Sequence, residues 1–177
     1  MRAIDVLTLL RELRSAGIDI RIDGGWCVDA LVGRSLRDHA DLDLAVDRRH
    51  LDALRGWLRS RGFRHVPRDG TTDWCFVVED DRQRRLDVHA YAYDDRGDNV
   101  WGIAYPHGSL TGTGWLDGEP VPCVAPEWMF RFKTAYEPAE KDLVDVEALA
   151  ARFGFEVPPT HRRTHQEVSD RRTRTPR

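Results

Sequence analysis

Apolar residues in the first half of the chain recur with periods that predict alternating helices and strands. Leucine and isoleucine repeat at helical spacing over residues 3–15, and the pattern stops at Gly17, which predicts a first helix. Residues 18–23 alternate apolar and polar positions, which predicts a strand. A pair of glycines breaks this strand, and a second helical pattern follows over residues 26–32.

The middle of the chain continues this alternation. Residues 41–46 (DLDLAV) again alternate, with carboxylates on one face and leucines on the other. Asp47 is a favourable N-cap for a helix that ends near Gly62. Residues 74–80 and 84–92 predict the two strands of a hairpin with a short charged turn.

The last part of the chain predicts mainly helix. Residues 94–119 are rich in glycine and aromatic residues and receive no assignment. Residues 121–125 predict a strand, and Pro126 can open a helix that runs to about Tyr136. A final helix is expected over residues 139–153.

These elements predict an α+β fold, with a small mixed sheet flanked by helices and a helical C-terminal part. We expect a core over residues 1–107 and a C-terminal subdomain over residues 108–157. From Val157 onward the chain is polar and has no apolar period. Residues 158–177 are therefore predicted to be a disordered tail, and no role is expected for the histidines there.

Composition narrows the class of protein without identifying it. The chain has 177 residues, 41% of them hydrophobic, and a formal net charge of −3. The overall charge therefore gives no reason to expect a nucleic-acid partner. No apolar run is long enough to cross a membrane, and the N-terminus does not resemble a signal peptide. Three scattered cysteines without metal-ligand spacing favour a cytoplasmic protein with reduced thiols. A monomer and a homodimer are both compatible with these features.

Three short motifs in a fixed order carry the candidate chemistry. They are GGW at residues 24–26, DLDL at residues 41–44 and LDVH at residues 86–89. Glycines let a backbone turn approach a ligand closely, and the N-terminus of the following helix offers N–H groups to a phosphate.

The carboxylates of the second and third motifs are candidate metal ligands. Asp41 and Asp43 leave one face of a predicted strand, with Cα atoms roughly 6.6 Å apart. A third carboxylate on another strand, Asp87, is costly to hold beside them unless cations neutralise the group. Two Mg²⁺ ions about 3.5–4 Å apart would do so, and would stabilise both oxygens of an in-line phosphoryl displacement.

These motifs resemble those of the nucleotidyltransferases with a DNA-polymerase-beta-like fold. IDGGWCVDALVGRSLRDHADLDL resembles the corresponding segment of the small lincosamide nucleotidyltransferases and, more distantly, that of aminoglycoside 2''-nucleotidyltransferase. The similarity continues through LDVH, VPCVAPE and FKTAYEPAEKDLVDV and covers roughly residues 18–150.

The resemblance implies transfer of a nucleoside monophosphate from ATP, or from another nucleoside triphosphate, to a hydroxyl of a small antibiotic. It implies that Asp41, Asp43 and Asp87 bind Mg²⁺ and that Asp87 is also a candidate base. It further implies a triphosphate site that includes Gly24, Gly25, Arg37 and His39. On this basis the core over residues 1–107 is the nucleotidyltransferase core, and the subdomain over residues 108–157 completes the acceptor site. Where the later helix of the family reads Phe-His-Ser-Gly-Tyr, this chain has Phe132, Lys133, Thr134, Ala135 and Tyr136.

Other residues have both a functional and a structural interpretation. Lys133 could bind phosphate or be solvated. Glu79 could bind the acceptor or end a strand in solvent, and His89 could line the site or serve the core. Trp101, Tyr105 and Tyr136 are candidate acceptor contacts, although core or loop-anchoring roles suit such aromatic residues equally.

Two other functions fit the same motifs. One is a nucleotidyltransferase that modifies tRNA or a protein, as in toxin–antitoxin systems, although the negative net charge argues against an RNA partner. The other is a non-catalytic nucleotide-binding module, which would have to tolerate three clustered acids without a catalytic reason for them.

Overall fold

The structure, a computed structural model, describes residues 1–163. Each sequence-predicted helix is present, and the boundaries differ from the predicted ones by at most a few residues. The helices are α1 (Ala3–Ser15), α2 (Gly24–Val32), α3 (Arg48–Ser60), α4 (Pro126–Thr134) and α5 (Glu140–Phe153).

The strands of the described residues are β1 (Ile20–Ile22), β2 (Leu42–Asp47), β3 (Arg64–Val66), β4 (Cys75–Glu79), β5 (Arg85–Tyr93), β6 (Asn99–Gly102), β7 (Gly112–Leu116) and β8 (Glu119–Cys123). They form one mixed sheet in the order β3-β4-β5-β2-β1-β8-β7, and β6 pairs with β5. This arrangement confirms the predicted α+β class, with more strands than the pattern predicted.

The pairing of β2 with β5 positions the chemistry. These strands run parallel, and Asp43 lies directly opposite Asp87 in their register. The alternate residues of the same strands, such as Leu44 and Val88, are fully buried. Because side chains alternate across a strand, burial of the leucine face leaves both carboxylates on the other face.

The unassigned stretch 94–119 contains strands β6 and β7. Sequence patterning missed both because β6 is only four residues long and β7 contains two glycines, which have low strand propensity. Strands β7 and β8 extend the sheet of the N-terminal part, and β8 runs parallel to β1. The division into residues 1–107 and 108–157 stays a prediction.

The predicted tail begins too early. Pro159–His161 forms a short 3-10 helix, and His161 is buried. Periodicity could not predict this 3-10 helix, because the burial of a single imidazole leaves no repeating apolar pattern. His165 and the rest of residues 164–177 lie outside the described residues. Within residues 1–163, no helix is both long and apolar enough to cross a membrane.

Candidate active site

A cavity of about 710 Å³ lies where the start of α2 meets strands β2 and β5 and helices α4 and α5. Most of the sequence-predicted site residues line it. These are Gly24, Gly25, Arg37, His39, Asp41, Asp43, Asp87, His89, Lys133 and Tyr136.

Asp43 and Asp87 form the centre of the cavity wall. They are register partners on adjacent parallel strands, and Asp41 immediately precedes β2. Burial raises the pKa of Asp43 to about 7, and the nearby charges of Asp23 and Asp41 add to the increase. A cation beside Asp43 would offset the cost of keeping this buried carboxylate ionised.

The glycine pair begins α2 directly against these acids. The side chain of Asp23 caps the helix by accepting a 2.7 Å hydrogen bond from the Gly24 amide, and the Asp23 amide donates to the Asp43 carbonyl. Gly24 has φ of +59°, and a Cβ atom there would lie 1.9 Å from Asp43 Oδ2. A Cβ atom on Gly25 would lie 2.4 Å from His39 Nδ1. A larger residue at position 24 would therefore collide with the Asp43 carboxylate, and one at position 25 would collide with His39.

Asp23, which patterning did not single out, belongs to a buried network below Asp87. Tyr105 donates a 2.6 Å hydrogen bond to Asp23 Oδ2. His89 lies between two carboxylates, with Nδ1 3.9 Å from Asp23 and Nε2 3.3 Å from Asp87. Burial alone would lower the pKa of His89, but these two carboxylates raise it to about 10. His89 is therefore protonated at neutral pH and holds Asp87 by a charged contact.

The electrostatics keep Asp87 and Asp23 ionised. Burial would raise the pKa of Asp87, yet hydrogen bonds from His89 and Arg68 lower it below its ordinary value. In the same way, hydrogen bonds from His89 and Tyr105 outweigh burial and lower the pKa of Asp23. An ionised carboxylate is the form that binds a metal or accepts a proton.

Arg37 and His39 line the cavity but are engaged with carboxylates behind it. Arg37 makes a two-pronged contact with Asp145, at 3.1 and 2.8 Å. His39 Nε2 lies 2.7 Å from Asp29 Oδ2, and the His39 ring packs on Trp26. Their predicted role toward phosphate stays a prediction.

Lys133 is buried and lies between two acids of α5. Its Nζ atom is 3.0 Å from Asp142 Oδ1 and 3.0 Å from Asp145 Oδ2, and these charges raise its pKa despite burial. Tyr136 donates a 2.8 Å hydrogen bond to the same Asp142. Of the two sequence interpretations of Lys133, solvation is wrong, because the ammonium group ties α4 to α5.

The structure does not bring Glu79 or Trp101 to this cavity. Glu79 pairs with Arg85 on the neighbouring strand, at 2.9 Å. Trp101 packs edge-on against Trp74 and lies under the guanidinium of Arg48. Neither residue lines the cavity, and their role as acceptor contacts stays a prediction.

Tyr105 also lacks a direct place at the cavity surface. It is 2% exposed, and its hydroxyl is directed at Asp23. Its hydroxyl positions Asp23, and its role as an acceptor contact stays a prediction.

Two acids face each other on parallel strands beside a glycine turn that opens a helix, which is the arrangement expected of a nucleotidyltransferase. The carboxylates offer hard oxygen ligands of the kind that Mg²⁺ prefers, and the lack of a side chain at Gly24 lets the start of α2 lie directly against Asp43.

The chain belongs to the aminoglycoside-2''-adenylyltransferase family, whose sequence model matches residues 5–149. A lincosamide resistance protein of Staphylococcus haemolyticus is 26% identical over 139 residues, which cover 72% of this chain and 81% of that protein.

Two solved structures share the fold. The lincosamide antibiotic adenylyltransferase LnuA, with lincomycin bound, aligns with a TM-score of 0.71 and 20% identity over 83% of this chain and 95% of that one. ANT(2'')-Ia in complex with adenylyl-2''-tobramycin aligns with a TM-score of 0.69 and 21% identity over 84% of this chain and 87% of that one.

Proposed function

We propose that this protein transfers AMP from ATP to a hydroxyl group of a lincosamide- or aminoglycoside-type antibiotic and releases pyrophosphate. The observation that carries the proposal is the placement of Asp43 opposite Asp87 beside the glycine turn. The family match and the antibiotics named for its relatives support a small hydroxylated acceptor.

The residues of the cavity suit the chemistry of this transfer. Asp41, Asp43 and Asp87 would hold two Mg²⁺ ions, which neutralise charge on the triphosphate when bound. A bond forms between the acceptor oxygen and the α-phosphorus, and the bond from that phosphorus to the pyrophosphate oxygen breaks. Asp87 accepts the proton of the acceptor hydroxyl, and its lowered pKa keeps it ionised for this step.

The size of the cavity is compatible with a small acceptor. Its volume of about 710 Å³ falls in the range of about 300–1,000 Å³ that is usual for small-molecule sites. Because ATP is the proposed donor, we place the activity in the cytoplasm.

The test is incubation of the protein with Mg²⁺, labelled ATP and a panel of lincosamides and aminoglycosides, followed by mass spectrometry. The expected result is a mass gain of one AMP on one acceptor class and none with an Asp43→Asn variant. Labelling of added tRNA or of protein, with every antibiotic unmodified, would favour a macromolecular acceptor instead. No AMP transfer to any acceptor would count against the proposal.

A further inference from the structure

Arg68, in the loop between β3 and β4, donates hydrogen bonds to both oxygens of the Asp87 carboxylate. Its Nη1 atom lies 2.5 Å from Asp87 Oδ2, and its Nη2 atom lies 2.8 Å from Asp87 Oδ1. Nη2 also donates to Cys75 Sγ at 3.2 Å. The Arg68 side chain is 36% exposed and that of Asp87 is 10% exposed, so the contact closes over the carboxylate from the solvent side.

Hydrogen bonds within the loop hold Arg68 in place. The Thr71 hydroxyl donates to the Arg68 carbonyl at 2.9 Å. The Thr72 hydroxyl accepts a 3.0 Å hydrogen bond from the Cys75 amide, and the Thr72 amide donates to the Cys75 carbonyl at 2.8 Å. These contacts fasten the loop to the start of β4, the strand that pairs with β5. The guanidinium is thus presented to Asp87 by ordered backbone.

The three proposed metal ligands are therefore not equivalent. Within residues 1–163, neither Asp41 nor Asp43 forms an ion pair, whereas Asp87 has two cationic partners, Arg68 and His89. A divalent cation at Asp87 must share or displace an oxygen that Arg68 already holds. A two-pronged guanidinium contact competes strongly with a metal ion, because it engages both carboxylate oxygens of Asp87 in one plane.

We propose that Arg68 is a positioning residue that competes with the divalent cation for Asp87 and so sets the metal concentration that the site requires. This inference rests on the proposed function, because it takes Asp87 as a metal ligand. Removing Arg68 frees the carboxylate, so a variant without it binds the cation more tightly. For a partly exposed ion pair, the expected change in dissociation constant is about two- to fivefold.

The experiment measures metal binding directly. Mn²⁺ is titrated into the full chain, and free Mn²⁺ is followed by electron paramagnetic resonance for the wild type, Arg68→Gln and Arg68→Lys. Arg68→Gln should lower the dissociation constant by about two- to fivefold. Arg68→Lys keeps the charge but loses the two-pronged geometry and should give an intermediate value.

Arg64→Gln is the matched control. Arg64 lies on β3 and pairs with Asp81 at the surface, where both side chains are more than three-quarters exposed. The substitution removes the same charge from a neighbouring element without touching Asp87, so the Mn²⁺ affinity should stay at the wild-type value. Equal tightening in both variants would show a non-specific charge effect and overturn the inference.

A second comparison tests whether the effect passes through Asp87. In an Asp87→Asn background, adding Arg68→Gln should no longer tighten Mn²⁺ binding. Unchanged or weaker Mn²⁺ binding by Arg68→Gln in the native background would overturn the role of Arg68 and leave the proposed function untouched. A wild-type chain that binds no Mn²⁺ would overturn both the inference and the proposed function.

Discussion

The hydroxyl group of Tyr105 lies 2.6 Å from Oδ2 of Asp23, across 82 positions of sequence. Asp23 in turn caps α2 at the glycine turn and stands near His89, which contacts Asp87. A buried tyrosine thereby fixes the residue at which the turn, the helix and the acidic strands meet.

Tyr105→Phe should destabilise the fold by about 1–3 kcal/mol, because the buried Asp23 carboxylate loses a hydrogen bond that burial makes costly to leave unmade. Urea unfolding measures the effect. The control is Tyr93→Phe, since the Tyr93 hydroxyl is half-buried and makes a long 3.3 Å contact with a carbonyl. A loss no larger than that of the control would contradict the role assigned to Tyr105.

Gly24→Ala should reduce both stability and metal binding, because the added Cβ atom would lie 1.9 Å from Asp43 Oδ2 and must move that carboxylate. The control is Gly17→Ala. Gly17 also has a positive φ, of +72°, but nothing lies within 4 Å of the added atom, so this variant pays only the backbone strain. Thermal melts with and without Mg²⁺ should show a response to Mg²⁺ in the control and little in Gly24→Ala. Similar behaviour of the two variants would argue against a role for close packing at the turn.

Asp87→Asn keeps the shape of the side chain but removes its charge. Turnover should fall by at least the ~10²–10⁴-fold typical of a positioned general base, with acceptor binding largely kept.

Tyr136→Phe removes only a hydrogen bond to Asp142, which Lys133 still contacts, so it should change the preference among acceptors more than the rate. Steady-state kinetics with two acceptors separate these effects. Near-normal turnover by Asp87→Asn would remove Asp87 from the chemistry.

His89 predicts a loss of stability at alkaline pH. Its pKa is raised from 6.5 to about 10 in the folded chain, so the folded state keeps a proton that the unfolded state releases. The stabilisation is complete below pH 6.5 and disappears as pH rises toward 10, with a limiting slope of ~1.4 kcal/mol per pH unit for one proton.

The measurement is the free energy of unfolding of the wild type and His89→Gln at pH 6, 8 and 10. The wild type should lose more stability than the variant over this range. Parallel profiles would show that the charge of His89 is not coupled to folding.

The residues just after α5 should contribute to stability although the sequence pattern suggested a tail. His161 is 2% exposed in the 3-10 helix Pro159–His161. His161→Ala should lower the free energy of unfolding by roughly 0.5–3 kcal/mol, the usual range for loss of a buried side chain. Arg162→Ala, at an exposed position, provides the comparison in the same denaturation experiment. Equal, negligible effects would restore the interpretation as a tail.

Local periodicity predicted the helices and the acidic strands because burial of one face leaves a repeating signal, as in the alternation of Leu42 and Leu44 with Asp41 and Asp43. Partners that meet only through the fold leave no such signal. Arg68 lies in an irregular loop, and its contact with Asp87 depends on the pairing of β4 with β5.

The same limit applies to the basic residues of the cavity. The family resemblance implied a phosphate site that includes Arg37, and phosphate binding was one of two interpretations of Lys133. The sequence contained no information on the acids that face these residues. Asp145 meets both residues, across 108 positions from Arg37, because α5 packs against the region around α2 and α4. Long-range charge pairing of this kind follows from tertiary packing and not from spacing along the chain.

The shared contact at Asp145 has a consequence for how this sequence can evolve. Arg37 and Lys133 both form ion pairs with this fully buried carboxylate, and Lys133 also forms an ion pair with Asp142. The two cations and two acids balance one another, so losing any one of them alone leaves an uncompensated charge in the cluster. Breaking a buried ion pair in this way typically costs about 3–5 kcal/mol. Substitutions here should therefore be inherited as sets, and a relative with a neutral residue in place of Lys133 should also have changed at least one of the two acids.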